Sequence, residues 1–205
     1  MGSYREVIDA LDHESLVILD AIIGQSWQGF WAWEYPENLG NFGAWDAIGI
    51  QLIDSCVKIN TSILDFQFDD EFEDDIGHLS VDVFENCHFV DDDVTFHKLL
   101  SGQSILDVLV IREEVRAALH DVPVWAFTND YGLVFVLESG CVAVYKAMYQ
   151  GYHLEVSVAD SLSQLDIQWG SSMWTDDGDS SEIDTGETFM ATHSFRSIRT
   201  LSAKG

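Results

Sequence analysis

Histidine, cysteine and carboxylate side chains crowd one part of the sequence, where His78, His88 and His97 are interleaved with Cys87 and with Asp91, Asp92 and Asp93. Imidazole and carboxylate groups together can hold a metal ion, and a strand presents alternate side chains to one face. The spacing matches no standard ligand pattern, so surface or turn histidines are the plainer reading. Cys87 and His88 could suggest a thiol nucleophile with its base. Adjacent strand residues face opposite ways, which keeps that base out of hydrogen-bond reach. Asp54-Ser-Cys56 and Ser139-Gly-Cys141 look like nucleophile turns, but both fall between apolar runs, where hairpin geometry explains them. No phosphate-cradling glycine loop is present. No catalytic residue, metal site or cofactor is therefore expected, and binding is the expected role.

Charge is the stronger signal. The chain of 205 residues carries 36 acidic and 9 basic side chains, a formal charge of −27. Self-repulsion at that level opposes compaction and makes nucleic acid and anionic membrane surfaces poor partners. The acids are also clustered. Twelve fall between Asp65 and Asp93 with no Lys or Arg among them, including Asp69, Asp70, Glu71, Glu73, Asp74 and Asp75 around Phe72. A second acidic stretch, Asp176 to Glu187, follows Trp174. Its glycine and glutamate are out of register for a calcium loop, so 171–190 reads as an acidic flexible loop. An aromatic ring framed by carboxylates suits an interface with a basic protein: the ring anchors and the charges steer. The expected partner-binding residues are Asp69–Asp75 with Phe72, Asp91–Asp93 and Trp174. In size and charge the chain is similar to acidic bacterial immunity proteins, which neutralise basic nuclease toxins, although no motif carries that likeness.

Positioning such a surface falls to a mainly β fold of the α+β class. Tyr4 to Ile23 has apolar residues at helical spacing and predicts one or two N-terminal amphipathic helices, stopped at Gly24. Strands are predicted at Trp27–Trp33, Ala47–Ile53, Cys56–Asn60, Ile63–Phe68, Leu79–Phe84, Ile105–Ile111, Val122–Phe127, Leu133–Leu137, Cys141–Tyr145 and Leu154–Val158. Turn residues Asn129–Gly132 and Glu138–Gly140 separate some of them. The span from Ser104 to Asp121 also reads as a helix by propensity.

Gly-Gln-Ser occurs at Gly24 and again at Gly102, and the register it gives decides that ambiguity. Trp27, Phe30, Trp31 and Trp33 fall on Ile105, Val108, Leu109 and Ile111, while Ile48, Ile50, Leu52 and Cys56 fall on Leu133, Phe135, Leu137 and Cys141. Two copies, 22–70 and 100–160, are expected within one globular domain, 1–205, as antiparallel meanders packed in a sandwich or partly closed barrel about a pseudo-twofold axis. Because Trp27-Gln-Gly-Phe30 is a poor helix, the segment at Ile105 is expected to be a strand.

Two other functions remain open at this point. A small-molecule-binding or enzymatic barrel could line a pocket with Trp27–Trp33 and place His153 or Glu155 in it, and a structural or oligomer-forming role needs no ligand at all. Three cysteines without CxxC spacing read as buried thiols, and no apolar stretch is long enough to cross a membrane as a helix, so a cytoplasmic protein is expected.

Overall fold

The computed structural model describes residues 5–35, 42–67, 73–86, 93–120, 122–147, 153–165, 167, 173–175 and 187–202. Its strands are β1 (Arg5–Asp9), β2 (Ser26–Glu34), β3 (Phe42–Trp45), β4 (Ala47–Leu52), β5 (Cys56–Gln67), β6 (Glu73–Phe84), β7 (Thr95–His97), β8 (Gln103–Leu119), β9 (Val122–Leu137), β10 (Gly140–Lys146), β11 (His153–Ala159), β12 (Met173–Thr175) and β13 (Glu187–Ser197). Helices α1 (His13–Ala21) and α2 (Ile198–Ser202) are short. No helix among the described residues is long and apolar enough to cross a membrane.

The strands form one mainly antiparallel sheet in the order β12-β13-β8-β9-β10-β11-β3-β2-β4-β5-β6. Because β2 also pairs with β8, the stretch from β8 to β2 closes into a ring, and the sheet is a partly closed barrel. Closure is narrow, with Ser26 opposite Ser104 and Trp27 opposite Gln103. Alternation turns Phe30, Ile50, Val108, Leu133, Phe135, Val142, Val144 and Leu154 into a common core, with Trp27 tilted against Phe135 at 5.5 Å between ring centroids. Burying a side chain of this size stabilises by about 1.5–3 kcal/mol, so this inner face dominates the fold's cohesion.

Two registers around the closure match each other. In β2–β4, Trp27 faces Leu52 and Gly29 faces Gln51, so Gln28 is an extra residue. In β8–β9, Ile105 faces Leu137 and Asp107 faces Val136, so Leu106 is extra at the corresponding place. Beyond these bulges, Phe30 faces Ile50 and Val108 faces Phe135. On the other side of the two leading strands, β7 adds to β2 through Trp31 opposite Phe96, and β13 adds to β8 through Leu109 opposite Ser197.

Several expectations need correction. Arg5–Asp9 is a strand, parallel to β9, because Val7 is buried at 8% exposure while Ile8 stands out at 61%, a period of two rather than 3.6. The helical turn of chain begins only at His13, where the Asp12 carboxylate accepts the Ser15 N–H at 2.7 Å and is held below the usual carboxylate range by that bond. Asn129–Gly132 is not a turn. It lies inside the continuous β9, with Gly132 there because a Cβ would come within 2.7 Å of the Tyr145 backbone. Cys56–Asn60 and Ile63–Gln67 lie in one strand, β5, for the same reason that β8 runs on to Leu119: long cross-strand pairing outweighs local propensity; Phe68 lies outside the described residues. Cys56 is disulfide-bonded rather than a thiol, whereas Cys141 is free and buried.

Candidate functional site

Of the residues expected to bind a partner, Asp69, Asp70, Glu71, Phe72, Asp91 and Asp92 lie outside the described residues. Glu73, Asp74 and Asp75 open β6, where the register sets Asp75 opposite Asp65, Asp74 opposite Phe66 and Glu73 opposite Gln67. Asp93 is exposed in a turn before β7. Trp174 is the middle residue of β12, opposite Phe189. Within 171–190, β12 takes Met173–Thr175 and β13 starts at Glu187, while 176–186 lie outside the described residues. His78 and His97 have separate surroundings: His78 Nδ1 is 2.6 Å from Asp9 Oδ1, and His97 packs on Phe42 at 4.5 Å with Nε2 3.0 Å from the Ala32 carbonyl. His88 lies outside the described residues.

A different cluster does come together. Strand β2 puts Trp27, Phe30 and Ala32 inside, and its alternation leaves Trp31, Trp33 and, just beyond its end, Tyr35 half-buried. Strand β3 runs beside Trp33 and Glu34, and β11 runs beside β3 with His153 opposite Trp45 and Glu155 opposite Gly43. Trp33, Tyr35, Trp45 and His153 therefore meet on one surface. The His153 ring lies 4.8 Å from Trp45, 5.7 Å from Trp33 and 5.9 Å from Tyr35. Trp33 meets Trp45 edge-on at 5.8 Å. The Tyr35 hydroxyl hydrogen-bonds His153 Nε2. Gly43 makes room for that bond, since a Cβ there would lie 2.6 Å from the Tyr35 hydroxyl and 2.7 Å from His153 Nε2.

Burial lowers the His153 pKa and raises that of Tyr35, so at neutral pH the ring accepts and the phenol donates. Glu155 acts electrostatically on both groups, and its own Oε2 is held by the Tyr145 hydroxyl at 3.0 Å. Trp45 stays 56% exposed. A large aromatic surface with a carboxylate nearby is open to solvent.

The interior holds a second polar assembly. Lys146 is 1% exposed; its ammonium donates to the Gly77 carbonyl at 2.6 Å and to Asn129 Oδ1 at 2.7 Å. Asn129 donates to Glu113 Oε2 at 2.9 Å, and Glu113 Oε1 lies 2.9 Å from His193 Nε2. Beside them, Asp130 accepts from the Leu11 N–H and from Arg112, each at 2.8 Å. Desolvation pushes the Lys146 pKa down to about 8, against the pull of Asp9, Glu113 and Asp130. The Tyr131 phenol is pushed up by burial and by Glu113 and Glu155. This chain ties β6, β8, β9, β10 and β13 together. Each member is satisfied by another, which makes it a specifying network in the core rather than an accessible reactive centre.

Lys146, Asn129 and Glu113 carried no signal in the sequence, since a lysine ending an apolar strand ordinarily snorkels to solvent. Tyr35 and Trp45 carried little more, because their meeting with His153 depends on a pairing between strands more than a hundred residues apart in sequence. No family model matches the chain, and neither does any curated protein or solved structure.

Proposed function

We propose that the chain is an acidic, non-enzymatic binding protein that engages a basic protein through the carboxylate-rich end of the β5–β6 hairpin, as an inhibitor or immunity-like partner. The observation that supports it is the register placing Asp65 directly opposite Asp75, next to Asp74 and Glu73. Like charges opposed across a ladder cost stability. A chain already at −27 would be relieved of that cost by a cationic surface. The test is capture of a basic protein from lysate of the source cells at low and high salt, identified by mass spectrometry. Capture should fall with salt and be lost when Asp65, Asp74 and Asp75 become Asn and Glu73 becomes Gln. Undiminished capture by that variant would overturn the reading.

An internal duplication of 22–70 and 100–160 about a pseudo-twofold axis is part of the same proposal. Its support is the pair of bulges at Gln28 and Leu106, and the reciprocal bonds Gly24 N–H to the Ile105 carbonyl at 2.8 Å and Gly102 N–H to the Trp27 carbonyl at 2.7 Å. The Cys56 disulfide suits an oxidising compartment and argues against the cytoplasmic placement expected from the sequence.

An aromatic-lined binding site, the second reading, has one supporting observation: His153 sits against Trp33, beside Glu155.

A further inference from the structure

Exposed tryptophan is costly surface, and Trp45 is held by two rings, one of them itself fixed by a third, rather than left to swing. Trp33 meets it edge-on, His153 packs on it, and Tyr35 fixes His153 through a hydrogen bond. A ring fixed in this way offers its open face without losing much freedom on binding, which is how interface anchors work. A carboxylate stands on the same side: Glu155 is two residues along β11 from His153, opposite Gly43, and is oriented by Tyr145. An indole face attracts a cation through its quadrupole, and a planar guanidinium can stack on it while donating to a carboxylate.

We propose that the Trp33–Tyr35–Trp45–His153 cluster, with Glu155 beside it, is a seat for an arginine side chain of the basic partner. This rests on the reading of the chain as a binder of basic proteins, but it uses residues other than those of the β5–β6 hairpin end. The arginine stacks on the open Trp45 face and donates toward the Glu155 side of the cluster. The four rings lie on β2, β3 and β11 and the strand end beyond β2, which are joined in register, so the seat is built on sheet rather than on loop.

The probe is Nα-acetyl-arginine amide, with the uncharged Nα-acetyl-citrulline amide as its isostere, titrated into the full chain while the indole N–H and histidine ring resonances are followed by NMR. The expected result is saturable shifts at Trp45, Trp33 and His153 with the arginine probe and none with citrulline. Affinity should fall about two- to fivefold in Trp45→Leu, with Trp45→Phe between it and the native chain. Because Trp45 is largely exposed, these variants keep the fold, and unchanged shifts elsewhere check it. Equal shifts with citrulline, or no saturable shift, would overturn the seat. An acetyl-lysine amide that binds as tightly as the arginine probe would overturn the assignment to arginine. The hairpin variant separates the two proposals. Arginine-probe shifts that persist there, with protein capture lost, support both; capture lost only in Trp45→Leu sinks the hairpin reading alone; capture indifferent to Trp45 and absent probe shifts sink the seat alone.

Discussion

Ser26 lies directly opposite Ser104 where β2 meets β8, and the backbone bonds on either side of that pair are reciprocal. Gly24 donates to Ile105 on one side, and Gly102 donates to Trp27 on the other. The two Gly-Gln-Ser segments thus close the barrel against each other. Their glycines hold φ of +89° and +83°, a left-handed conformation in which an L side chain is strained, and a Cβ at either would meet nothing within 4 Å. Backbone strain alone should then set the cost of substitution. Gly24→Ala and Gly102→Ala should each destabilise by about 1–2 kcal/mol, and by similar amounts. Urea unfolding of the two variants checks this, and a large difference between them would count against equivalent roles.

Gly43→Ala should behave differently, since the obstacle there is steric. A Cβ would press on the Tyr35 hydroxyl, on His153 Nε2 and, at 3.0 Å, on the Leu154 carbonyl. The two side chains can yield where the carbonyl cannot, so the variant should lose about 1–3 kcal/mol and the Tyr35–His153 bond together. The bond's loss should be visible as a shift of the His153 ring resonances. Native ring shifts in a stable Gly43→Ala protein would contradict the close approach.

How much of this was legible beforehand can be judged on β2. Its apolar and aromatic content announced a strand, and the recurrence of Gly-Gln-Ser put a strand at Ile105 where helix propensity competed. The bulge at Gln28 was not legible, yet it decides that Trp27 joins the core while Trp31 and Trp33 lie on the other face. Alternation gives only the local period; a bulge resets it, and the cause lies in pairing with β4. The link from Trp33 to His153 was legible only as an aromatic strand and a polar group able to share a pocket. Trp45 completes the cluster through the β3–β11 ladder, a long-range pairing that local pattern does not encode.

The cysteines give a direct chemical count. With Cys56 disulfide-bonded and Cys141 free, a denatured, unreduced sample should bind one equivalent of thiol reagent and a reduced one three, as the chain has 3 cysteines. In the native state even that one thiol should react slowly, because burial raises the Cys141 pKa and reactivity follows the thiolate. Three reactive thiols without reductant would refute the pairing of Cys56.

His78 and Asp9 should make stability fall as pH rises. The hydrogen bond to Asp9 raises the His78 pKa above its usual 6.5, overcoming desolvation. The folded state therefore holds its proton longer than the unfolded chain does. The contribution is fully present below pH 6.5 and is lost as pH climbs through the raised folded value. Because His78 is partly exposed, solvent screening keeps the effect small. His78→Gln should flatten this part of the stability profile, measured by urea unfolding between pH 5 and 8, and an unchanged slope would remove the pair from the account.

Lys146 should produce the opposite slope at higher pH. Its folded pKa is pushed down to about 8 from 10.5, so between those values the unfolded chain holds more protons than the folded one. Stability must then rise with pH across that window, since deprotonation relieves the folded state of a charge it hides from water. Part of the rise will be offset above pH 10, where the Tyr131 phenol, pushed up by burial, stays protonated in the folded state after it ionises in the unfolded one. Lys146→Met keeps the volume and removes the charge, and should abolish the rise between pH 8 and 10. It also leaves Asn129 Oδ1 and the Gly77 carbonyl without their donor in a buried site, which costs about 1–3 kcal/mol for each at neutral pH. The variant should therefore be less stable than the native chain yet flatter in pH. A Lys146→Met protein that kept the native slope would place the responsible group elsewhere.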